Sequence, residues 1–533
     1  MEFARVWGLD EPRPPLEALA RLRADLEGAS FTVETIESLW SGGGGEGGGV
    51  QGGADAAAAL ARGHRVPALR RLDGDARPVA LLARLFVLGD ALSDAELETA
   101  LPSLGAEGAA ALGLTASDPG AAGTVRAAID LRPYAFADAH GAGEWWIASD
   151  PGELQTGGAL REDHVLGVGG ASTTLAGLLL QRPARTVLDL GTGSGIQALH
   201  ARRFAEHVVA TDLSARALAF ARFTTLLNGV DGIELRQGSL YEPVAGQRFD
   251  RIVSNPPFVI TPRTAEVPAY DYRDGGMVGD GIVEAVVRGA ARHLEPGGIA
   301  QLLGNWESTG GRDGLDRLRD WLDGSGLDYW VVERERQDPS EYAETWIRDG
   351  GTRPGTPGFE AMHAAWLDDF AARGVDAVGF GYVLLRRPAE NAAPSLARTE
   401  RLHGPVAPGL GEHLDRALAA WDAVAGLDDA GLAALRLATA PDVTEERHHW
   451  PGDEAPTAIL IRQGGGFGRT VPAGTALAAL LGAADGELPL GAISAAIAEL
   501  TEAPADALWA ELAAEVRELV LAGILLPGPA DVG

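Results

Sequence analysis

Two stretches of the chain carry residue types suited to handling a ligand at close quarters. In the first, residues 187–199 (VLDLGTGSGIQAL), Gly191, Gly193 and Gly195 stand at alternate positions between a run of strand character and an apolar pattern of helical spacing. Glycine suits such a turn, because the backbone angles are closed to other residues and a ligand must reach the main chain without meeting side chains. The second stretch is Asn255-Pro256-Pro257-Phe258. Two prolines fix φ and stiffen the loop. The Asn255 side-chain oxygen and the Pro256 carbonyl can then both accept hydrogen bonds from a planar NH₂ group, orienting it and favouring the positive charge that develops on it. Phe258 offers a ring on which a flat group can stack. Taken alone, Asn-Pro is also common strand-end punctuation, so its context decides.

That context is a series of strands. The run 187–190 feeds the glycine turn, and a second strand, 208–210, ends at Thr211-Asp212, placing a carboxylate 21 positions after Gly191 where it could bind ribose hydroxyls. A helix over 215–227 and a third strand over 233–236 lead to Gly238-Ser239-Leu240, and a fourth strand, 249–254, runs into the Asn-Pro-Pro-Phe turn. Ile196 stands where a dinucleotide fingerprint wants glycine, which counts against a nicotinamide or flavin. A helix over 282–294, a fifth strand over 299–303 and strands over 329–333 and 379–385 complete the expectation of a seven-stranded sheet.

DLGTGSG, then ATDLS, then IVSNPPF resembles the class I methyltransferases that modify planar nitrogens. Within them the chain is most similar to the release-factor glutamine methyltransferases and to the ribosomal RNA guanine methyltransferases that share the small methyltransferase domain. The similarity covers roughly residues 160–390. It implies a Rossmann-like α/β fold with S-adenosylmethionine as cofactor, held by Asp189, Gly191, Thr192, Gly193, Gly195, Asp212, Leu213, Gly238, Ser239, Leu240 and Asn255. It gives the acceptor to Asn255, Pro256, Pro257 and Phe258. Many relatives carry an acid at 239 for the adenine amino group, and Ser239 departs from that pattern. Gly275-Gly276 and Asp280-Gly281 match a segment of relatives with glutamine substrates. Gly167, Gly169 and Gly170, with Ser172 to Thr174, either line the cofactor end or open a helix with Ser172 as N-cap.

The chain has 533 residues, too long for one core, and a formal net charge of −31. No segment has the basic excess that non-specific nucleic-acid binding uses. It contains no lysine, so any anion clamp must be a guanidinium, and no cysteine, which excludes disulfides and thiolate chemistry. No apolar run is long enough to span a bilayer, and the first residues do not read as a signal peptide, so the expected setting is cytoplasmic.

Three domains are expected, with boundaries 1–150, 151–395 and 396–533. The outer two read as mainly helical and winged-helix-like. The first holds helices over 79–88, 93–101 (Ser93 as N-cap) and 107–112, then strands over 124–131 and 145–149. It also holds a glycine-rich tract, 41–53, read as a loop or linker. An unusually long connection, 337–374, is either a specificity lid or an added surface subdomain. His448 and His449 lack further ligands at metal-site spacing. The acceptor is a protein glutamine amide or an exocyclic amine of an RNA or DNA base, with oligomeric state open. The rival from another class is a non-catalytic scaffold that binds the cofactor and works through its flanks.

Overall fold

A computed structural model describes residues 3–11, 14–41, 51–158, 160–264, 267–268, 270 and 272–528. The chain divides into two compact units, one of residues 1–175, 183–327 and 335–391, the other of 176–182, 328–334 and 392–533.

The first unit is built on a mainly parallel sheet. Its strands are β1 (Ala184–Leu190), β2 (Ala205–Asp212), β3 (Ile233–Gln237), β4 (Phe249–Ser254), β5 (Leu294–Thr309) and, after β6 (Asp328–Gln337), β7 (Val375–Arg386). Within this unit the order is β7-β5-β4-β1-β2-β3. β5 to β3 run parallel and β7 pairs antiparallel with β5. The inner strands are apolar almost throughout because helices cover the sheet. Chain order turns outward from β1 in both directions, so the crevice between β1 and β4 is the switch point where open α/β sheets bind ligands. The expected strands are all present, β5 being longer than expected, and an eighth strand, Ala397–Arg401, pairs in parallel with β6.

Helices α1 (Ile196–Arg202), α2 (Ala215–Leu227) and α3 (Gly281–His293) follow β1, β2 and β4. Ser214 caps α2, its hydroxyl accepting from Ala217 N–H at 3.3 Å. The N-terminal helices share a core with α2. Phe3 stacks on Phe220 with centroids 4.5 Å apart, and Trp7 meets Phe223 edge-on at 4.9 Å.

Several local expectations need adjustment. The helix over 79–88 forms as Pro78–Leu82 followed by a π-helical turn, Ala83–Val87. Ser93 does cap Asp94–Ala100, with a reciprocal contact from Glu96. The strand over 124–131 splits into Thr124–Ala127 and Asp130–Asp138, the latter pairing with Gly141–Ser149. Of the glycine-rich tract, 42–50 lie outside the described residues, and Gln51 already opens the helix Gln51–Ala61. Ser172 is not an N-cap, because the helix Gly170–Leu178 begins two residues earlier and Thr173 N–H already bonds back to Gly169 O.

The second unit has an antiparallel sheet of Val443–His448, Ala458–Gln463 and Thr470–Ala473. Helices Leu410–Val424, Thr475–Ala483, Leu490–Thr501 and Ala505–Leu521 close around a core that includes Leu480, Val516 and Ile524. Glu400 lies at its polar centre. Burial works against its charge, but Arg469 and Arg398 hold its carboxyl down to about 2.

Candidate active site

Strand register brings the two sequence stretches together. Leu190, the last residue of β1, is paired with Thr211 of β2 on one side and with Ser254 of β4 on the other. The next residues along the chain, Gly191, Asp212 and Asn255, therefore lie at one level. With strands about 4.8 Å apart, the backbones of Asp212 and Asn255 stand roughly 10 Å apart across β1. Ser254 Oγ donates to Leu190 O at 2.8 Å, which fixes that level. At the opposite end, Asp250 accepts from the N–H groups of Arg185 and Thr186 at 2.9 and 3.0 Å. The register is held at both ends.

On the β1–β2 side, Gly191, Gly193 and Gly195 all have positive φ, at 78°, 55° and 90°. A Cβ added at Gly191 or Gly193 would meet nothing within 4 Å, so the main chain there faces open space. At Gly195 it would come within 3.2 Å of Ala221 Cα, so this third glycine serves the approach of α2. Gly191 and Thr192 both donate to Thr211 O at 2.9 Å, binding the turn to β2. Asp212 accepts from Gly193 N–H through Oδ2 and from Ser214 N–H through Oδ1, each at 2.9 Å. Leu213 beside it is 70% exposed, an apolar surface at the mouth.

Asp189 lies beneath the turn and is fully buried, accepting from the Thr192 hydroxyl at 2.6 Å. Burial pushes its carboxyl up to about 7, against that hydrogen bond and with a further push from the Asp212 charge. Gly238 donates to Asp212 O at 3.0 Å, and a Cβ there would strike Pro243 at 2.5 Å. Ser239 follows, and Leu240 takes a left-handed φ of 46°.

On the β4 side, Asn255 Oδ1 and Thr261 Oγ1 are buried without a hydrogen-bond partner, and so is Thr211 Oγ1 at the tip of β2. A buried acceptor left unpaired costs about 1–3 kcal/mol, which a ligand donor would recover. Phe258 is itself buried, its ring 5.4 Å from Phe380 and 6.2 Å from Trp346. The turn continues through Val259, whose N–H donates to Arg273 O at 2.8 Å, and Ile260, whose N–H donates to the Tyr342 hydroxyl at 3.0 Å.

The Gly-Gly and Asp-Gly segment is occupied with support. Asp274 is gripped by Arg263 at 2.6 and 2.7 Å, and Asp280 accepts from Glu307 N–H at 2.9 Å and from Arg317 at 2.7 Å. Burial raises the Asp280 carboxyl to about 6.

The segment before the cofactor strand is anchored by a buried ion pair. Arg216 of α2 binds both oxygens of Asp150, which also accepts from Val165 N–H at 2.9 Å. His164 meets Tyr272 edge-on at 5.6 Å. Composition and motif reading gave no signal for Asp150 or Arg216, and marked Tyr342 only as one residue of the long 337–374 connection, because each acts through partners distant in sequence.

Residues 167–311 match the family described as "Methyltransferase small domain", and residues 28–128 match a domain of unknown function, DUF7059. The chain is 37% identical over 131 residues to a release factor glutamine methyltransferase of Xylella fastidiosa, covering 23% of this chain and 48% of that protein. It is 33% identical over 196 residues to a ribosomal protein uL3 glutamine methyltransferase of Bradyrhizobium diazoefficiens, covering 33% of this chain and 58% of that protein. It is 34% identical over 121 residues to ribosomal RNA small subunit methyltransferase C of Escherichia coli, covering 22% and 31%. The chain thus spans about half or less of the length of most of the relatives it matches. The glycine turn, the acid at the tip of β2 and the Asn-Pro-Pro-Phe turn all fall inside the matched stretch, and residues 167–311 are a class I S-adenosylmethionine-dependent methyltransferase domain.

Proposed function

We propose that this protein transfers a methyl group from S-adenosylmethionine to a planar NH₂ nitrogen, and that the acceptor is the side-chain amide of a glutamine in another protein. The level register of Leu190 with Thr211 and Ser254 carries the reading, since it sets a cofactor cradle and an acceptor turn on one crevice. The cradle fits the cofactor. Main chain at Gly191 and Gly193 faces open space, Asp212 is fixed at the tip of β2 by Gly193 and Ser214, and Leu213 lies exposed beside it. In this proposal Asp189, Thr192 and Gly195 shape the turn, and Gly238, Ser239 and Leu240 form the far wall.

Bound S-adenosylmethionine supplies the methyl: the nitrogen–carbon bond forms as the carbon–sulfur bond breaks, and the nitrogen then gives up one proton to water. The chain's own contribution is alignment. Asn255 Oδ1, unpaired and buried, takes one N–H of the acceptor, and Pro256 O takes the other. Both oxygens favour positive charge growing on the nitrogen. Pro257 keeps the turn stiff, and Phe258, buried against Phe380 and Trp346, anchors it.

The glutamine acceptor is favoured by the two glutamine methyltransferase relatives and by a net charge of −31, which suits a basic protein partner and repels a phosphate backbone. The ribosomal RNA methyltransferase relative supports a base amine as the second reading. We infer a cytoplasmic setting, which suits either acceptor; none of the described helices is long and apolar enough to cross a membrane.

The test is incubation of methyl-labelled cofactor with extract from cells lacking the gene. Label released by protease and not by nuclease supports the glutamine reading, and the reverse pattern supports a base. The Asn255→Ala variant should bind cofactor normally and transfer on the order of 100-fold less. Equal transfer by this variant and the wild type would remove Asn255 from the acceptor site, and a wild-type protein that binds the cofactor and labels nothing would leave only the scaffold role.

A further inference from the structure

We propose that Tyr342 is a positioning residue of the acceptor turn, acting through its hydroxyl, so that the insert at 337–374 is a working part of the site. The inference rests on the methyl-transfer reading above. The insert forms two helices, α4 (Pro339–Asp349) and α5 (Pro357–Arg373). α4 starts firmly, with the Asp338 side chain accepting from Ser340 and Glu341 N–H at 2.8 and 2.9 Å.

The Tyr342 ring belongs to the insert. It lies 6.0 Å from Trp346, 5.8 Å from Trp366 and 6.0 Å from Phe370, and is 2% exposed. Its hydroxyl belongs elsewhere. It accepts from Ile260 N–H at 3.0 Å, two residues past Phe258, and contacts Asn305 Nδ2 at 2.5 Å. Asn305 lies on β5, directly opposite Phe380 of β7, and Phe380 is the residue whose ring meets Phe258. The hydroxyl thus joins the backbone just beyond the acceptor turn to the strand beside it. Ile260 is buried, so without Tyr342 its N–H would be orphaned.

A second line of contacts runs parallel. The Trp346 ring meets Phe258 edge-on, and Arg273 donates to Trp346 O at 2.8 Å and to Asp349 at 2.9 Å. Arg273 O is the group that receives Val259 N–H. Two successive backbone amides after Phe258 are therefore tied, one directly and one through Arg273, to a single helix of the insert. Transfer depends on holding the nitrogen in line, so a turn released at this point loses rate before it loses cofactor.

The experiment uses the full chain, tritiated-methyl S-adenosylmethionine and extract from cells lacking the gene, with initial rates read across extract dilutions. Cofactor affinity is read by calorimetry and thermal midpoints are recorded. Tyr342→Phe keeps the ring and removes the hydroxyl. The maximal rate should fall between about 10-fold and 100-fold, with cofactor affinity changed less than about twofold. Trp366→Phe, in the same insert core and outside the ring contacts of Phe258, should lower the thermal midpoint and leave the maximal rate unchanged. Wild-type rates in Tyr342→Phe, or a parallel loss of rate in Trp366→Phe, would overturn the inference and leave the function intact. A wild-type protein that labels nothing would overturn the methyl-transfer reading and this inference with it.

Discussion

Gly193 donates its backbone N–H to Oδ2 of Asp212 at 2.9 Å, which joins the turn after β1 to the tip of β2. Through its other oxygen the same carboxylate holds Ser214, the N-cap of α2. Asp212→Ala should therefore loosen the turn and the helix start together. We expect cofactor affinity, read by calorimetry, to fall at least about 10-fold, since hydrogen bonds to a charged group contribute about 1.5–3 kcal/mol. Unchanged affinity would remove Asp212 from the cofactor site.

Gly193→Ala tests the cradle from the opposite direction. The added methyl group meets no protein atom, but φ of 55° strains it by about 1–2 kcal/mol, and it projects into the space assigned to the ligand. Thermal stability should drop modestly while cofactor binding is lost. Retained binding would place the ligand elsewhere.

Asp189 predicts a pH dependence. Its folded-state carboxyl titrates near 7, where an unperturbed one titrates near 3.8. Between those values the folded chain keeps a proton that the unfolded chain has released. Stability present below about pH 4 is therefore lost as pH rises through about 7. Asp189→Asn removes this titration and keeps an acceptor for Thr192. Denaturant midpoints at about pH 4.5 and 7.5 should differ less in the variant than in the wild type. An identical pH response would refute the assignment.

Arg216→Met strands the buried Asp150 carboxylate and loosens the 161–169 segment through Val165. Breaking a buried pair from one side typically costs about 3–5 kcal/mol, so the thermal midpoint should fall by several degrees. Hydrogen exchange should rise first near Val165. Exchange that rises only in the β3 region would show that the pair does not anchor this segment.

The sequence was most legible where chemistry needs rare residue types in fixed order. Three glycines at alternate positions, an acid 21 residues on and a double proline after an apolar run are local patterns, and strand pairing set them level as expected. Phe258 was legible in place and less so in surroundings, because its ring is covered by Phe380 and Trp346, residues about 90 to 120 positions away. Asp150 was invisible for the same reason, and Tyr342 stood out only as one residue of the long 337–374 connection. A tyrosine on an amphipathic helix and an aspartate at a strand end carry no mark of what they will touch. The split of 124–131 was missed because a strand pattern does not show where its pairing partner changes.

Asp250 at one end of β4 and Ser254 at the other lock that strand to β1, and both locks lie within regular sheet. The separation of the two turns is therefore written into hydrogen-bonded backbone, while the 161–169 and 337–374 connections lie outside it. Insertions at 161–169 or 337–374 can accumulate over generations without altering that span. A sheet of this kind can take longer or shorter connections at those places and keep its two turns at the same separation.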